Sequence, residues 1–543
     1  MPSAALRVTS SGGLQDTDPM QTLNRRALLV SVIAASGARL VTPAFAQQPV
    51  TAPPSPASTA FSYADVVGRA HDLAAAPFDA SIPQLPDSIA NLDYDAWRDI
   101  RFKSDKPLLG QTGSSFRLEL FHLGHLYKRP VVVNVLRDGI PAPVPYAANL
   151  FDYGRNKIPS GLPINLGFAG FRLRYPLNAP RLWDEVIAFL GASYFRFLGR
   201  GQRYGISSRG LGIGSGAHVN EEFPFFREFW IETPDPASPR ITVHALLDGE
   251  SATGAFRFEI APTLETTVDV TATLFARRTI PSLDMAPLSS MFLRGKNDHR
   301  VDDDFRSELH DSDGLLVHTG AGEWIWRPLS NPVSPSISTF VDNNVRGFGL
   351  VQRDRVFDHY QDLELAYELR PTYWIEPHEG WGEGGVQLVE LPTDNESNDN
   401  IVAAWMPKES FEAGRSMTYG YRVTALTDDS RLTPGARAVN TFRAQARALG
   451  AAEAPPPGAT RFLIDFSGGD LSYYLIDPTL VEIVATTSAG SVMRTFLAPN
   501  SHISGFRAGL DVEVAPGQSC DVRVFLRAAN KALTETWTFP WRA

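Results

Sequence analysis

The sequence predicts an all-β protein, with a large N-terminal β-sandwich followed by a smaller C-terminal immunoglobulin-like β-sandwich. The clearest observation is the strict alternation of apolar and polar residues over 267–274, which is the period of a half-buried antiparallel strand. Segments 240–247 and 255–260 flank an Asp248-Gly249 turn and predict a hairpin beside that strand. Near the C-terminus, short alternating segments separated by Gly and Pro turns are typical of a small sandwich.

The C-terminal strands are predicted from apolar residues at every second position. They are Phe462, Ile464 and Phe466; Val481, Ile483 and Ala485; Leu510, Val512 and Val514; and the run from Cys520 to Leu526. Cys520 is the single cysteine, so it cannot form an intramolecular disulfide, and its place in an alternating run predicts a buried strand position. We place a linker at 429–438, between a large sandwich over 61–428 and a small one over 439–543, with 442–448 as its first strand.

Two helices are predicted among the strands. Ser62 and Asp65 make a capping pair, and the apolar residues after them repeat at helical spacing until Pro77. A second helix is predicted over 181–197, where Val186, Ile187 and Leu190 again follow a helical spacing after a proline.

The N-terminus has the features of an export signal. Arg25-Arg26 precede an apolar run, and Ala44-Phe45-Ala46 offers a small-x-small cleavage site. The paired arginines predict a twin-arginine signal peptide over 1–46, which would carry folded cargo into the periplasm, followed by a flexible tail over 47–60. The alternative, a membrane anchor, is disfavoured because the apolar run is well short of the roughly 20 residues that a span needs.

The charge of the chain disfavours two classes of binding partner. The formal net charge is -10, and acids and bases are interspersed along the sequence. A nucleic-acid ligand would require a basic stripe, and an anionic lipid surface would require a basic patch, so neither is predicted as a partner. No membrane insertion is expected of the mature chain.

The stretch between 290 and 405 is dense in carboxylates, arginines and indoles, and three chemistries compete for it. The run Asp311-Ser312-Asp313-Gly314 resembles the first half of a calcium loop but lacks its third acid and closing glutamate. No nucleophile elbow of the form G-x-S-x-G is present, which disfavours a serine hydrolase. A carbohydrate-active site wants two carboxyls on opposite sides of an acetal and aromatic platforms for sugar faces. The stretch supplies those residue types, although paired acids are also common in solvated turns and caps.

Several long ungapped segments of the sequence resemble those of one known protein family, and the resemblance covers nearly the whole mature chain. They are FAGFRLRYPLN from Phe168, FLGASYFRFLG from Phe189, YGISSRGLGI from Tyr204, EEFPFFREFWIE from Glu221, GKNDHRVDDDFRSELHDSDGL from Gly295, GEWIWRPL from Gly322, GFGLVQRDRVFDHYQD from Gly347 and ESNDNIVAAW from Glu396. In these segments the chain resembles the periplasmic glucan biosynthesis family, the G and D proteins that shape osmoregulated periplasmic glucans. Its twin-arginine leader is more similar to the D-type protein.

The resemblance implies a fold and an activity. It implies two joined β-sandwiches, in agreement with the strand patterns, and an inverting glycoside hydrolase that acts on β-1,2-glucan as an endo-β-1,2-glucanase. Two alternatives stay open: a transglycosylase that closes the glucan into a ring, and a non-catalytic glucan-binding accessory of backbone synthesis. No cofactor and no metal are implied. The implied partners are β-1,2-glucan chains and the inner-membrane glucan synthase, and a homodimer is a possible assembly.

The resemblance also implies catalytic residues. Asp399, in Glu-Ser-Asn-Asp-Asn-Ile, matches the general acid of the family, and Asp311, in His-Asp-Ser-Asp-Gly, matches its general base. Asp399 then has to hold a proton near neutral pH, helped by burial or by a neighbouring acid such as Glu396. Asp311 has to stay ionised, and Tyr367 is the candidate for relaying the proton of the attacking water toward it.

Further residues are candidates for binding the glucan. Glu396 either tunes Asp399 or binds a sugar hydroxyl, and His310 is an equally good candidate for positioning Asp311. The candidates for lining glucosyl subsites are Arg353, Arg370, Trp324, Trp326, Trp374 and Trp381. Core packing and ion pairing are the alternative for each of these six side chains.

Overall fold

The computed structural model describes residues 60–542, except 111–112, 159–160, 216–220, 299–302, 431 and 448–458. The described residues belong to one compact unit, Thr59–Ala543. The predicted signal peptide and all but the last residue of the predicted tail lie outside the described residues.

The helices of the described chain are short. They are α1 (Tyr63–Ala74), α2 (Asp87–Ala90), α3 (Tyr94–Arg98), α4 (Phe357–Tyr360) and α5 (Leu471–Tyr474). Three-residue 3₁₀ turns lie at Ala148–Leu150, Tyr367–Leu369 and Pro478–Leu480.

Most of the chain is strand, so the predicted all-β class is confirmed. The first strands are β1 (Arg101–Phe102), β2 (Arg117–Phe121), β3 (Val132–Arg137), β4 (Ile140–Pro143), β5 (Phe151–Asp152), β6 (Gly170–Ala179), β7 (Leu182–Leu190), β8 (Tyr194–Phe197), β9 (Ser207–Arg209), β10 (Leu211–Ile213), β11 (Phe225–Glu232), β12 (Ile241–Asp248), β13 (Ala252–Ala261), β14 (Thr267–Ala276), β15 (Leu283–Ser290) and β16 (Phe292–Arg294). The others are β17 (Leu309–His310), β18 (Gly314–His318), β19 (Trp324–Pro328), β20 (Ser336–Asn343), β21 (Gly347–Val351), β22 (Thr372–Pro377), β23 (Glu383–Glu390), β24 (Ile401–Pro407), β25 (Ser416–Leu426), β26 (Arg437–Gln445), β27 (Ala459–Ser467), β28 (Glu482–Thr487), β29 (Ser491–Asn500), β30 (Gly505–Glu513), β31 (Ser519–Ala528), β32 (Lys531–Ala532) and β33 (Thr536–Arg542).

Two large sheets face each other across the main core. Among the described residues, one sheet has ten strands in the order β2-β6-β7-β8-β9-β15-β24-β23-β20, with β10 beside β15. The other has fifteen, in the order β28-β31-β33-β19-β18-β21-β22-β25-β14-β13-β12-β11-β3-β4, with β32 beside β31. Aromatic rings join the two layers: Phe171 meets Phe229 at 5.0 Å between centroids, and Phe189 meets Phe258 at 5.1 Å.

The first predicted helix and the predicted hairpins are confirmed. The backbone N–H of Ser62 donates to Asp65 Oδ2 at 2.7 Å, which caps α1, and Val66 and Ala70 are fully buried against the sheet. Strands β12, β13 and β14 form a continuous antiparallel meander that contains the predicted segments. The apolar residues predicted to face inward on β14 are all completely buried: Val268, Val270, Ala272 and Leu274.

The predicted helix over 181–197 is wrong, because that segment forms β7 and β8. In the pairing of β6 with β7, Leu173 is opposite Ile187 but the next residue, Arg174, is opposite Glu185. Val186 is therefore the extra residue of a β-bulge, and both Val186 and Ile187 are buried. Two consecutive inward residues imitate the apolar spacing of a helix, which explains the error.

The C-terminal strands form a small sandwich that shares a sheet with the large one. The sheet β26-β27-β30-β29 packs on β28, β31 and β33, with Phe462 5.7 Å from Trp537 between ring centroids. Cys520 is buried on β31, as its alternating run predicts. Strand β33 pairs in parallel with β19, which makes the two parts continuous. The boundary at 429–438 stays a prediction.

The topology brings distant segments of the chain together at the ends of neighbouring central strands in the ten-strand sheet. The end of β15 lies beside the start of β24, with Ser290 opposite Ile401, and β9 pairs with β15 at Ser289. Strand β16 continues from β15 and pairs with β17. The residues that follow β17 and those that precede β24 therefore lie near each other and near β8, the neighbour of β9.

Candidate active site

Asp311 is buried at the end of β17. Its backbone N–H donates to the carbonyl of Met291 at 2.8 Å, and its side chain is almost entirely removed from solvent. Arg370 Nη1 contacts Asp311 Oδ1 directly. A cation in contact with a carboxyl favours its ionised form, so this environment suits a carboxylate that accepts a proton.

Arg370 connects Asp311 with the other predicted site residues. It follows the 3₁₀ turn Tyr367–Leu369, and its guanidinium lies 3.7 Å from the centroid of the Tyr367 ring. Burial lowers the pKa of Arg370 to about 9, while the charges of Glu396 and Asp399 raise it and that of Arg196 lowers it. The guanidinium is thus protonated at neutral pH and lies within electrostatic range of both acids.

Tyr367 is buried and bonded to Glu396. Its hydroxyl donates to Glu396 Oε2 at 3.1 Å, and its ring stacks on Tyr360 at 5.9 Å between centroids. Burial raises the pKa of Tyr367 above its usual range, and the neighbouring Glu396 charge raises it further. Tyr367 therefore keeps its proton at neutral pH and can act as a hydroxyl donor and acceptor.

Asp399 lies in the turn that leads into β24, and the next residue fixes that turn. The side-chain amide of Asn400 donates to the carbonyls of Phe292, at 3.0 Å, and Leu391, at 2.9 Å, and its oxygen accepts from the Phe292 N–H at 2.8 Å. The Asp399 side chain keeps 31% of its exposure, and Oδ2 lies 3.8 Å from Arg196 Nη2. Asp399 is thus accessible to a ligand while its backbone is anchored.

Two residues of β8 complete this group and were missed by sequence reasoning. Arg196 donates from Nε to Ser207 Oγ at 2.6 Å, which holds its guanidinium near Asp399. Burial raises the pKa of the Tyr194 hydroxyl, and the charge of Asp399 adds to that shift. The sequence carried a signal for these two residues, because Tyr194 and Arg196 alternate with the buried Phe195 and Phe197 as in a half-buried strand. The incorrect helix prediction for this segment hid that signal.

The structure places Arg353 at the joint between the two sandwiches. Its guanidinium is buried, bonds Asp429 at 2.9 Å and Glu535 at 2.6 Å, and lies 3.6 Å from the centroid of a Trp326 ring. Asp429 and Glu535 are buried as well. This position favours the ion-pairing alternative for Arg353 over a role in sugar binding.

The four predicted tryptophans lie in, or pack against, the hydrophobic cores. Trp326 and Trp374 are buried in the core of the small sandwich, and Trp324 stacks on His318 at 4.0 Å and on Trp374 at 5.6 Å. Trp381 is half-buried against Trp405, Tyr419 and Tyr421. These contacts favour core packing, and of the six predicted subsite residues the structure brings only Arg370 into contact with Asp311.

The calcium alternative does not fit the run Asp311 to Gly314. Asp311 is paired with Arg370, and Asp313 Oδ2 accepts the backbone N–H groups of Arg353 and Asp354 at 3.1 and 2.9 Å. Both carboxyls are thus engaged by protein groups, which disfavours a calcium site in this run.

A second group of potential metal ligands is already neutralised by a lysine. Glu308, Asp354 and His359 bring their ligand atoms within 4.8 Å of one another. Lys296 Nζ contacts Asp354 and lies 3.8 Å from Glu308. The ammonium group supplies the positive charge that a cation would bring, so we assign these residues to a buried ion-pair cluster.

His310 is completely buried behind Asp311. Its Nδ1 faces Gln352 Oε1 at 2.9 Å, and its Nε2 faces Glu308 Oε2 at 3.0 Å. Gln352 Nε2, which carries two hydrogens, has three acceptor oxygens within 3.2 Å, which fixes its own oxygen toward the histidine. Both ring nitrogens therefore face acceptors, an arrangement that only the doubly protonated ring satisfies.

We expect His310 to make the stability of the protein fall at alkaline pH. Burial lowers the pKa of His310, but the hydrogen bond and charge of Glu308 outweigh it, and the result lies above the ordinary 6.5. A raised folded-state pKa gives a stabilisation that is complete below about pH 6.5 and is lost as the pH rises through the folded value. Thermal unfolding between pH 6 and 9 should show this loss, and His310→Gln should abolish that part of the slope. An unchanged slope in the variant would contradict the assignment.

Among the described residues, no helix has the length and apolar character needed to cross a membrane. The fold and the site together define a class of protein: a two-part β-sandwich in which one buried carboxyl, one exposed carboxyl and a buried tyrosine surround an arginine. Comparison with known proteins narrows that class.

The family model described as "Periplasmic glucan biosynthesis protein, MdoG" matches residues 61–541. The chain is 43% identical over 491 residues to "Probable glucans biosynthesis protein D" of Shewanella oneidensis, covering 90% of each chain. It is 41% identical to "Glucans biosynthesis protein G" of Ralstonia nicotianae, covering 89% of this chain and 96% of that one. It is also 41% identical to "Glucans biosynthesis protein D" of Xanthomonas campestris pv. campestris, covering 89% and 90%. The chain therefore belongs to the periplasmic glucan biosynthesis family.

Proposed function

We propose that this protein is an inverting glycoside hydrolase of the periplasm that cleaves β-1,2-glucan internally. The observation that carries the proposal is the environment of Arg370. This one buried guanidinium contacts Asp311, covers Tyr367 and lies in electrostatic range of Asp399 and Glu396. This shared neighbour supports a single site for the two carboxyls, which differ in burial and in charged neighbours.

The chemistry of inversion assigns each carboxyl one role. Asp399 gives its proton to the glycosidic oxygen as the bond from that oxygen to the anomeric carbon breaks. A water molecule attacks the same carbon from the opposite face, and the proton that it loses passes to Asp311. Asp399 is the accessible member, suited to meet a leaving group, and Asp311 is the buried member paired with a cation.

Burial separates Asp311 from bulk water, so its proton has to arrive through an intermediate group. Tyr367 is our candidate, because Arg370 lies over its ring and also contacts Asp311. A protonated phenol accepts a proton on its oxygen as it gives up its own, so it can relay without a net change of charge. We assign Tyr367 this relay, with the sugar hydroxyls and waters of the bound state completing the path.

Family membership supports the substrate and the location. The relatives are named for glucan biosynthesis, and the family for the periplasm. The predicted twin-arginine leader agrees with that location, and the glucan synthase of the inner membrane is the proposed source of the substrate.

Product analysis tests the proposal. The purified chain, without its leader, is incubated with linear β-1,2-glucan, and the products are measured by mass spectrometry. Hydrolysis predicts shorter linear glucans, with one water gained for each cleavage. Cyclic products without that gain would instead support transglycosylation, and unchanged glucan would support the binding accessory.

A further inference from the structure

Arg306 joins three separate segments beside the candidate active site. Its Nη1 lies 3.0 Å from Asp362 Oδ2 and 2.9 Å from Glu396 Oε2. Its Nε and Nη2 bond the two oxygens of Asp304 at 3.1 and 2.8 Å. The side chain is largely buried, and no role was predicted for it from the sequence.

The ion pair between Arg306 and Asp304 stays charged over the whole range in which the protein would work. The hydrogen bond from Arg306 lowers the pKa of Asp304 well below its usual range, and the same bond raises the pKa of Arg306. Arg294 Nη2 lies 2.7 Å from Asp304 Oδ2 and adds a second cation. Two guanidinium groups thus bind three carboxylates. This ion-pair group holds in place the chain segments that carry those carboxylates.

One carboxylate of this ion-pair group, that of Glu396, also accepts the hydrogen bond from the Tyr367 hydroxyl. Arg306 Nη1 and Tyr367 Oη both donate to Oε2 of Glu396, at 2.9 and 3.1 Å. These two bonds fix the position of the Tyr367 oxygen, whose lone pairs can accept from a water or sugar hydroxyl. Glu396 also precedes Asp399 by three residues in the same turn, so fixing Glu396 restrains the turn that carries Asp399.

We propose that Arg306 is a positioning residue for the reaction, acting through Glu396 on Tyr367 and on the turn of Asp399. The inference rests on the proposed function, because it concerns the geometry of that same site. Arg306 does not touch the glucan in this account. It sets where the Tyr367 oxygen lies and how far the Asp399 turn can move.

The first test measures steady-state kinetics of Arg306→Gln on linear β-1,2-glucan. A displacement of about 1 Å in a catalytic group costs on the order of 100-fold in rate, so we expect kcat to fall by about that factor with KM within about threefold. Arg306→Lys keeps the charge but offers one ammonium for three carboxylates, and it should recover only part of the rate. The matched control is Arg527→Gln, which removes an exposed Arg–Glu pair on β31 and should leave kcat unchanged.

The second test separates positioning from general stabilisation. In a Glu396→Gln background, Arg306→Gln should cost less than about fivefold, since groups that act as a unit are not additive. A full loss of about 100-fold in both backgrounds would mean that Arg306 acts through Asp304 and Asp362 alone, and it would overturn the inference. If Arg306→Gln is unfolded at the assay temperature, Arg306→Lys takes its place in the cycle.

Turnover by the parent protein shows whether a negative result contradicts this inference or the proposed function. Turnover by the parent with an Arg306→Gln variant that is equally active overturns this inference and leaves the proposed function standing. A parent that binds β-1,2-glucan without converting it overturns the proposed function itself, and the inference with it.

Discussion

Asp399→Asn should lower kcat on β-1,2-glucan by about 100- to 10,000-fold, because an amide cannot supply the proton that general acid catalysis contributes. Glucan binding should persist, since the amide keeps the size and the hydrogen-bonding oxygen of the carboxyl. The midpoint of thermal unfolding should stay within about 1 °C of the parent, because the side chain is partly exposed and its nearest cation is 3.8 Å away. Kinetics, calorimetric glucan binding and thermal unfolding measure the three quantities.

Asp394→Asn is the matched control for this variant. Asp394 is exposed and lies in the same connection between β23 and β24, so its substitution removes one negative charge from the same turn. It should leave kcat within about twofold of the parent. An Asp399→Asn variant as active as Asp394→Asn would exclude Asp399 as the general acid.

Arg353→Met should lower the free energy of unfolding by about 3 to 5 kcal/mol, the usual effect of removing one partner from a buried ion pair. The buried carboxylates of Asp429 and Glu535 would lose their common cation, and Trp326 the guanidinium that covers it. Because this joint is structural, KM for β-1,2-glucan should be unchanged at temperatures where the variant is folded. Urea unfolding and steady-state kinetics test the two halves of the prediction.

Arg422→Met provides the comparison for Arg353→Met. Arg422 forms a bidentate pair with Asp269 at 2.9 and 3.0 Å, but its own side chain is about half exposed. Its loss should cost less than about 1 kcal/mol. A raised KM with unchanged stability in Arg353→Met would restore Arg353 to the glucan-binding residues.

Local patterns predicted the parts of the fold that local forces determine. The capping pair of Ser62 and Asp65 and the alternation on β14 were sufficient for those two elements. The bulge at Val186 was not predictable, because it depends on the pairing partner Leu173 and not on the sequence of β7 itself. The parallel pairing of β19 with β33 joins segments about two hundred residues apart, and no local pattern reports it.

For the site as well, the sequence alone identified some residues and could not tell others apart. The segments shared with the family located Asp311, Glu396 and Asp399 by their neighbours in the chain, and Tyr367 was a candidate from the resemblance alone. Residue type did not separate Arg370, which contacts Asp311, from Arg353, which forms buried ion pairs with Asp429 and Glu535. That difference depends on which face of a buried strand or turn each side chain occupies, and the packing of distant segments decides it.

The anomeric configuration of the first product tests the central claim most directly. That claim is that Asp311 and Asp399 act from opposite faces of one glycosidic bond. Proton NMR of β-1,2-glucan, recorded in the first minutes after enzyme is added and before the sugar ends equilibrate, should show new reducing ends in the α configuration. New ends that appear first in the β configuration would contradict the account.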